Sequence, residues 1–252
     1  MLKKASVAVY RFVVFNCRLF TPRFKPEGIE KVSRTPAIFV SNHSQMFGPI
    51  AAEIHFPFRR YTWCAGEMMH KEEVAAYAYQ DFWSQKPKRS RWFYKILAHL
   101  ITPLAVCIFN NAETIEVYHD ARIINTFRRT MECLHDGASI VIFPEKDEHY
   151  NHVLYEFQDK FVDVARFYYR KYKVELDFVP YYLAPRLGRM VFGEPIHFHH
   201  DVPIEEERAR ICQAIKDEIT DIADSLPPHT IVPYRNIPKK LYPHNHPKGD
   251  SK

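Results

Sequence analysis

Two spacings of apolar residues run through this chain. Short continuous runs bounded by polar residues read as buried strands. They include Ala37-Ile-Phe-Val-Ser41, Arg60-Tyr-Thr-Trp-Cys-Ala65, Pro103-Leu-Ala-Val-Cys-Ile-Phe109 and Ala138-Ser-Ile-Val-Ile-Phe143, with two more at 178–184 and 190–198. Elsewhere the spacing is helical. Ile123, Ile124, Phe127, Met131 and Leu134 follow Asp120, an N-cap residue, and stop at Asp136-Gly137. Phe157, Phe161, Val164, Ala165 and Tyr168 predict a helix over 156–172. Ile211, Ile215, Ile219, Ile222 and Leu226 predict another over 203–226, with a charged opposite face. A shorter helix is expected from Gly48 to His55, and 70–100 reads as mostly helical, broken at Lys86-Pro87-Lys88-Arg89. Strands alternating with helices predict a single α/β domain, with a central, mostly parallel or mixed sheet flanked by helices.

The boundaries follow from the same pattern. Residues 1–25 form a basic amphipathic helix that ends where Pro22 and Pro26 break the chain. Residues 26–226 form the α/β domain. Residues 227–252, rich in Pro, His and Lys, are expected to be a polar, mobile tail.

Composition narrows the classes. Of 252 residues, 46% are hydrophobic and 26% charged, which excludes a disordered chain. With only 7 Gly and no GxGxxG or GxxxxGK[ST], a glycine-built phosphate cradle is excluded too. The formal charge of +5 suits an anionic membrane face or an anionic substrate. No nucleic-acid partner is expected, since zinc-finger spacings and RNP-like strands are absent. Five scattered cysteines in apolar contexts read as reduced, buried thiols of a cytosolic protein. His197, His199, His200, His229, His244 and His246 lack Cys or paired acids at ligand spacing, so no metal is expected.

No apolar run approaches the roughly 18–20 residues a membrane span needs. The first twenty residues instead combine an apolar side with Lys3, Lys4, Arg11 and Arg18. Such a helix can enter a lipid interface while its cations meet phosphates, or can pack on its own domain. The stretch from Lys86 to Tyr94 mixes cations with aromatics and reads either as interfacial or as a solvated loop. The expected location is peripheral, at the cytoplasmic face of an anionic membrane.

Ligands of α/β sheets sit beyond the carboxyl ends of strands. Two polar breaks fall there: Ser41-Asn42-His43-Ser44 and Phe143-Pro144-Glu145-Lys146-Asp147. A histidine so placed can take a proton from a hydroxyl near neutral pH, and a carboxylate can orient it.

The order of three blocks adds a resemblance. Ala37 to Pro49 resembles the first block of the PlsC-like glycerolipid acyltransferases, a strand followed by Asn-His, four residues and Asp. Val141-Ile142-Phe143-Pro144-Glu145 resembles their Phe-Pro-Glu-Gly-Thr-Arg block. Phe178-Val179-Pro180-Tyr181-Tyr182 resembles their closing strand. The resemblance implies a histidine base, here His43, which activates an acceptor hydroxyl to attack the thioester of acyl-CoA or acyl-carrier protein. It implies no cofactor beyond that co-substrate.

The pattern is degenerate where chemistry is expected. Gly48 stands in place of the orienting Asp, Glu148 in place of a phosphate-binding Arg, and Ile108-Phe109-Asn110-Asn111 where another arginine is expected. Glu67, Asp81, Glu145 and Asp147 are candidates for a substitute acid, with Asp147 preferred. The expected substrate-binding residues are Asn42, Ser44, Phe143, Pro144, Glu145 and Lys146, the lysine reading either as a ligand cation or as a solvated side chain. The expected function is that of a membrane-peripheral enzyme, acyl transfer to a lipid-related hydroxyl; the alternative is a catalytically inactive lipid- or acyl-chain-binding protein on the same fold. A Gly-x-Ser-x-Gly elbow for an esterase is absent.

Overall fold

The computed structural model describes residues 2–32, 36–84 and 86–247, without the side chains of Leu2, Lys3 and Asp81. The expected class is observed: α/β, with mostly parallel strands flanked by helices, behind an N-terminal helix. The chain divides into two compact units, Met1–Phe20 with Thr62–Arg129, and Thr21–Tyr61 with Thr130–Lys252.

The second unit carries both polar breaks. Its strands are β1 (Lys25–Glu27), β2 (Ile38–Ser41), β5 (Ser139–Ile142), β6 (Asp177–Ala184), β7 (Arg189–Phe192) and β8 (Ile196–His197). They lie in the order β1-β7-β6-β2-β5, with β8 beside β6. β2 runs parallel to both β5 and β6, and β1 parallel to β7, while β7 and β8 run antiparallel to β6. Every residue of β2 and β5 is buried, as expected for strands covered on both faces. One face buries Phe39, Val141, Val179, Tyr181 and Leu183 with Ala51 and Ala52 of helix α2 (Phe47–His55). Helix α7 (Ile204–Ser225) packs on β6, burying Ile211, Ile215, Ile219 and Ile222, the stripe read from the sequence.

In the first unit, α1 (Leu2–Phe20), α3 (Lys71–Ala78) and α4 (Arg91–Asn111) accompany the parallel pair formed by the Thr62–Ala65 part of β3 (Arg60–Ala65) and β4 (Thr114–Val117). α1 packs on α4, where Asn111 Nδ2 donates to Ser6 Oγ at 2.6 Å. Both helices leave large apolar side chains in solvent: Phe12, Phe15, Leu19 and Phe20 on α1, and Trp92, Phe93, Ile96, Leu100 and Leu104 on α4.

Four expectations change. The 103–109 strand is helix, part of α4. Its buried residues Ala98, Thr102 and Ala105 follow a helical stripe, and Thr102 Oγ1 bonds the Ala98 carbonyl at 2.9 Å. A continuous apolar run hides that period. The strand comes later, as β4. As one helical segment, Lys88–Asn111 is long and apolar enough to cross a membrane by length and composition, against the expectation that no run is; only 17% of its apolar window is buried. The 156–172 helix begins late, because Phe157 forms a bridge with Glu145; a single tight turn follows at Asp159–Val162, then α6 (Asp163–Tyr172). The 190–198 strand is two short strands, β7 and β8.

Helix α5 (Ile123–His135) links the two units and starts and stops as its sequence indicates. Asp120 Oδ1 accepts the Arg122 N–H at 2.8 Å, and Gly137, at φ 80°, ends the helix in the left-handed region.

As far as residue 247 the tail is folded back on the second unit. Ile231 and Val232 are buried, the Ile231 N–H donates to the Pro243 carbonyl at 2.9 Å, and Asn245 is anchored against the end of α7. The apolar Ile231-Val232 pair inside a polar segment was the signal that this part folds back.

Candidate functional site

Parallel pairing of β2 with β5 brings the two polar breaks side by side. The register is Val40 opposite Ile142, so both strands end together and release Asn42-His43-Ser44 and Phe143-Pro144-Glu145 at one edge. Glu145 joins them. Its Oε1 accepts the main-chain N–H of His43 at 2.6 Å, and its Oε2 that of Tyr155 at 2.8 Å. The carboxyl is 3% exposed, and burial pushes its pKa up to about 7 despite the two N–H donors.

Asn42 fixes the first break to β6. Its Oδ1 accepts the Leu183 N–H at 2.8 Å; its Nδ2 donates to the Leu183 carbonyl at 3.1 Å and to Ser44 Oγ at 2.7 Å. Ser44 is thus wholly buried and hydrogen-bonded, in a supporting position. Ser44 and Gln45 both adopt positive φ, 48° and 54°. Such conformations cost about 1–2 kcal/mol per non-glycine residue and concentrate where a loop is held for a purpose.

The turn then closes tightly into α2. The Gly48 N–H donates to the His43 carbonyl at 3.1 Å. A Cβ at Gly48 would stand 2.3 Å from that oxygen and 2.9 Å from Phe143 Cε1. No side chain fits there, so the carboxylate the motif expects at this position has no room.

The His43 ring lies between two aromatics. Its centroid is 5.3 Å from Phe143 and 5.3 Å from Tyr234 of the C-terminal segment. The residue keeps some exposure, yet Nδ1 is fully buried and has no hydrogen-bond partner among the described residues. Burial lowers the imidazole pKa below its usual 6.5, with main-chain groups of Gln45 and His43 pulling weakly the other way. The ring is therefore neutral at pH 7, able to accept a proton.

The remaining candidates are distributed around this centre. Asp147, the preferred orienting acid, places its carboxylate 3.4 Å from Arg235 Nε rather than on the imidazole. Lys146 pairs with Glu148 at 2.7 Å. The Pro144 carbonyl accepts the Gln158 N–H at 2.9 Å, and Phe143 contributes its ring to the histidine. Glu67 belongs to the first unit, in the turn Gly66–Met69, and the Asp81 side chain lies outside the described residues. Asn110 and Asn111 end α4, where they bond the Val106 and Cys107 carbonyls. The histidines near the C-terminus go to separate partners: His197 to Asp177, His200 to Glu175, His199 to Glu207 and His229 to Tyr182. Among the described residues no group of three or more His, Cys, Asp or Glu could hold a metal ion.

Sequence reasoning missed Gln45, Tyr155, Tyr234, Arg235 and Tyr242. Gln45 Nε2 donates to Tyr242 Oη at 3.0 Å, joining the strained turn to the C-terminal segment. Nothing in their spacing marks them; Gln45 and Tyr155 flank the two breaks, while Tyr234, Arg235 and Tyr242 reach the site through the folded tail.

The fold and site thus define an α/β chain with a neutral histidine at the mouth of its parallel strands. No protein-family model and no curated protein matches the sequence. Among solved structures, the chain is similar to the 1-acyl-sn-glycerophosphate (LPA) acyltransferase PlsC from Thermotoga maritima, at 14% identity and a TM-score of 0.46 over 88% of this chain and 83% of that one.

Proposed function

We propose that this protein is a membrane-peripheral acyltransferase that moves a fatty acyl group from a thioester donor, acyl-CoA or acyl-carrier protein, to a lipid-related hydroxyl. His43 acts as the general base. The carrying observation is its neutral imidazole, held at the ends of β2 and β5 with Nδ1 unpartnered. The balanced step is simple. The acceptor oxygen attacks the thioester carbonyl as its proton passes to the imidazole; the C–S bond breaks, and the thiolate leaves with that proton. In a serine-protease setting, loss of the orienting carboxylate costs about 10⁴ in rate and leaves residual catalysis, so slow turnover is expected here.

The membrane part is supported by α1 and α4. Neither contains an acidic residue, and α1 carries Lys4, Arg11 and Arg18. Phe12, Phe15 and Leu19 fall on one side of α1; Phe93, Ile96, Leu100 and Leu104 on one side of α4. Exposed apolar faces with only cations beside them suit an anionic lipid interface. By this reading the protein lies at the cytoplasmic face, with α4 in the interfacial plane.

One observation favours a second reading. With Gly48 packed against the His43 carbonyl and Phe143, and Asp147 turned to Arg235, no carboxylate among the described residues bonds Nδ1 of the ring. A catalytically inactive acyl-chain-binding protein would tolerate this. Purified protein given long-chain acyl-CoA or acyl-carrier protein and a panel of lipid alcohols separates the two. Acceptor-dependent release of free thiol supports acyl transfer; saturable acyl-chain binding without release supports the binding protein.

A further inference from the structure

Three polar side chains, Asp147, Tyr155 and Arg235, gather beside the imidazole with most of their hydrogen-bonding edges unused. The Tyr234 ring lies 5.3 Å from that of His43 and 6.4 Å from that of Tyr155. Arg235 follows Tyr234 directly, and its Nε stands 3.4 Å from Asp147 Oδ2. Among the described residues no hydrogen bond joins the two side chains, and none is made by Asp147 Oδ1, by the terminal nitrogens of Arg235 or by the Tyr155 hydroxyl. Tyr155 is nonetheless fixed in place. Its main-chain N–H donates to Glu145 Oε2 at 2.8 Å, the carboxylate that also holds the His43 N–H. Burial, and after it the negative charge of Asp147, keeps the phenol pKa above its usual 10, so the hydroxyl stays protonated and able to donate.

Charge decides what these groups fit. The Arg235 and Asp147 side chains are 61% and 48% exposed, and a pair so exposed holds little by itself. A bare phosphate that met Arg235 would stand beside the Asp147 carboxylate, with Glu148 next in the chain. Like charges so close repel. Lys146 does not relieve this, because it pairs with Glu148 at 2.7 Å and is attracted as well to Glu156 and Asp159. A group carrying both signs escapes the cost. Its anion accepts from the guanidinium and the Tyr155 hydroxyl, while its ammonium meets the open Asp147 oxygen. The exposed pair is then exchanged for two charge-assisted contacts, and every charge keeps a partner. Donors from two separate side chains, one of them a guanidinium fork, suit the oxygens of a phosphate.

Resting on the acyl-transfer reading of His43, we propose that Asp147, Tyr155 and Arg235 bind the headgroup of the acceptor, and that this headgroup is zwitterionic, a phosphate joined to an ammonium. The layout agrees with the chemistry of such a lipid. Its phosphate lies a few bonds from the free hydroxyl, and its ammonium a few bonds further. Here the polar cluster neighbours, through Tyr234, the imidazole that takes the hydroxyl proton. Asp147 then serves specificity rather than the orientation of His43. It rejects an acceptor whose headgroup is phosphate alone.

The test is a binding measurement that needs no turnover. Two lysolipids with the same short acyl chain, one with a phosphoethanolamine headgroup and one with a bare phosphate, are titrated calorimetrically into the purified full chain below their micelle concentrations. The wild type is expected to bind the phosphoethanolamine lipid about tenfold more tightly than the phosphate lipid. D147N should bring the two affinities within about twofold, weakening the first and strengthening the second. R235Q should weaken both by about tenfold, and Y155F should weaken the phosphoethanolamine lipid by about threefold. Thermal denaturation confirms that each variant is folded, as expected for side chains that reach solvent. Equal wild-type affinities, tighter binding of the bare phosphate, no saturable binding of either lipid, or a folded variant that binds both as the wild type does would overturn the assignment. Failure of the catalytic reading shows separately. A headgroup preference without thiol release would remove only acyl transfer, and thiol release without a headgroup preference only this site.

Discussion

Glu145 grips His43 by its main chain, with Oε1 2.6 Å from the histidine N, while Nδ1 of the imidazole has no partner among the described residues. The buried acid thus fixes where the histidine stands rather than how basic it is. Its second oxygen does the same for Tyr155, so one side chain ties the β2 and β5 exits to the segment that returns after residue 148.

Replacing Glu145 by Gln should destabilise the protein by about 1–3 kcal/mol at low pH, because the hydroxyl oxygen of the protonated carboxyl can still accept the second buried N–H, whereas an amide NH2 cannot. The effect depends on pH. The Glu145 carboxyl is raised from 4.5 to about 7 in the folded state, so the folded protein binds the proton more readily than the unfolded chain. That stability is fully present below about 4.5 and is lost as pH rises through about 7. The wild-type advantage over E145Q should therefore shrink between those pH values. Urea denaturation of both proteins across the range measures it; a gap that widens with pH would contradict the assignment.

Gly48→Asp restores the residue type the motif expects and should nonetheless fail. Its Cβ would meet the His43 carbonyl at 2.3 Å, and backbone cannot yield as a flexible side chain can. Overpacking of this kind costs about 1–3 kcal/mol or more. Gly48→Ala should lose comparable stability without any new charge, which separates crowding from electrostatics. Denaturation midpoints of both variants check this. A Gly48→Asp protein as stable as the wild type and faster in thiol release would mean that the site reopens around a carboxylate.

Deleting residues 2–20 should remove most binding to anionic vesicles, and F12S/F15S/F20S should weaken it while leaving the fold intact, since all three rings are more than half exposed. Binding of the intact protein should fall as salt rises, because Lys4, Arg11 and Arg18 act through screened attraction. Vesicle co-sedimentation measures each. Equal binding to neutral and anionic vesicles would point instead to α4 entering the bilayer as a span.

How far the sequence could be read depended on where each signal resided. β2, β5, β6 and α7 were legible because their apolar runs or stripes are uninterrupted and bounded by polar residues. That two polar breaks fall at strand ends was legible for the same reason; which acid meets His43 was not, since Asp147 was preferred and Glu145 takes the histidine main-chain N–H. α4 was misread because Leu104 to Phe109 is apolar on every side, which erases the period that separates helix from strand. The partner of Asp147 and the cover over His43 were illegible. Both come from residues 234–242, nearly ninety positions beyond the second break, in a segment whose composition resembles a tail. Its folding rests on a few buried groups, Ile231, Val232, His229 and Asn245, rather than on any periodic pattern.

The most direct measurement is the initial rate of thiol release from a long-chain acyl-CoA, with a lipid alcohol acceptor, followed against pH for the wild type and for His43→Ala. The wild-type rate should fall on the acid side with an apparent pKa below 6.5, where the buried imidazole gains its proton. His43→Ala should remain folded, lose that limb and run at least ~10²-fold slower. A His43→Ala protein that keeps the wild-type rate and pH profile would show that this histidine is not the base.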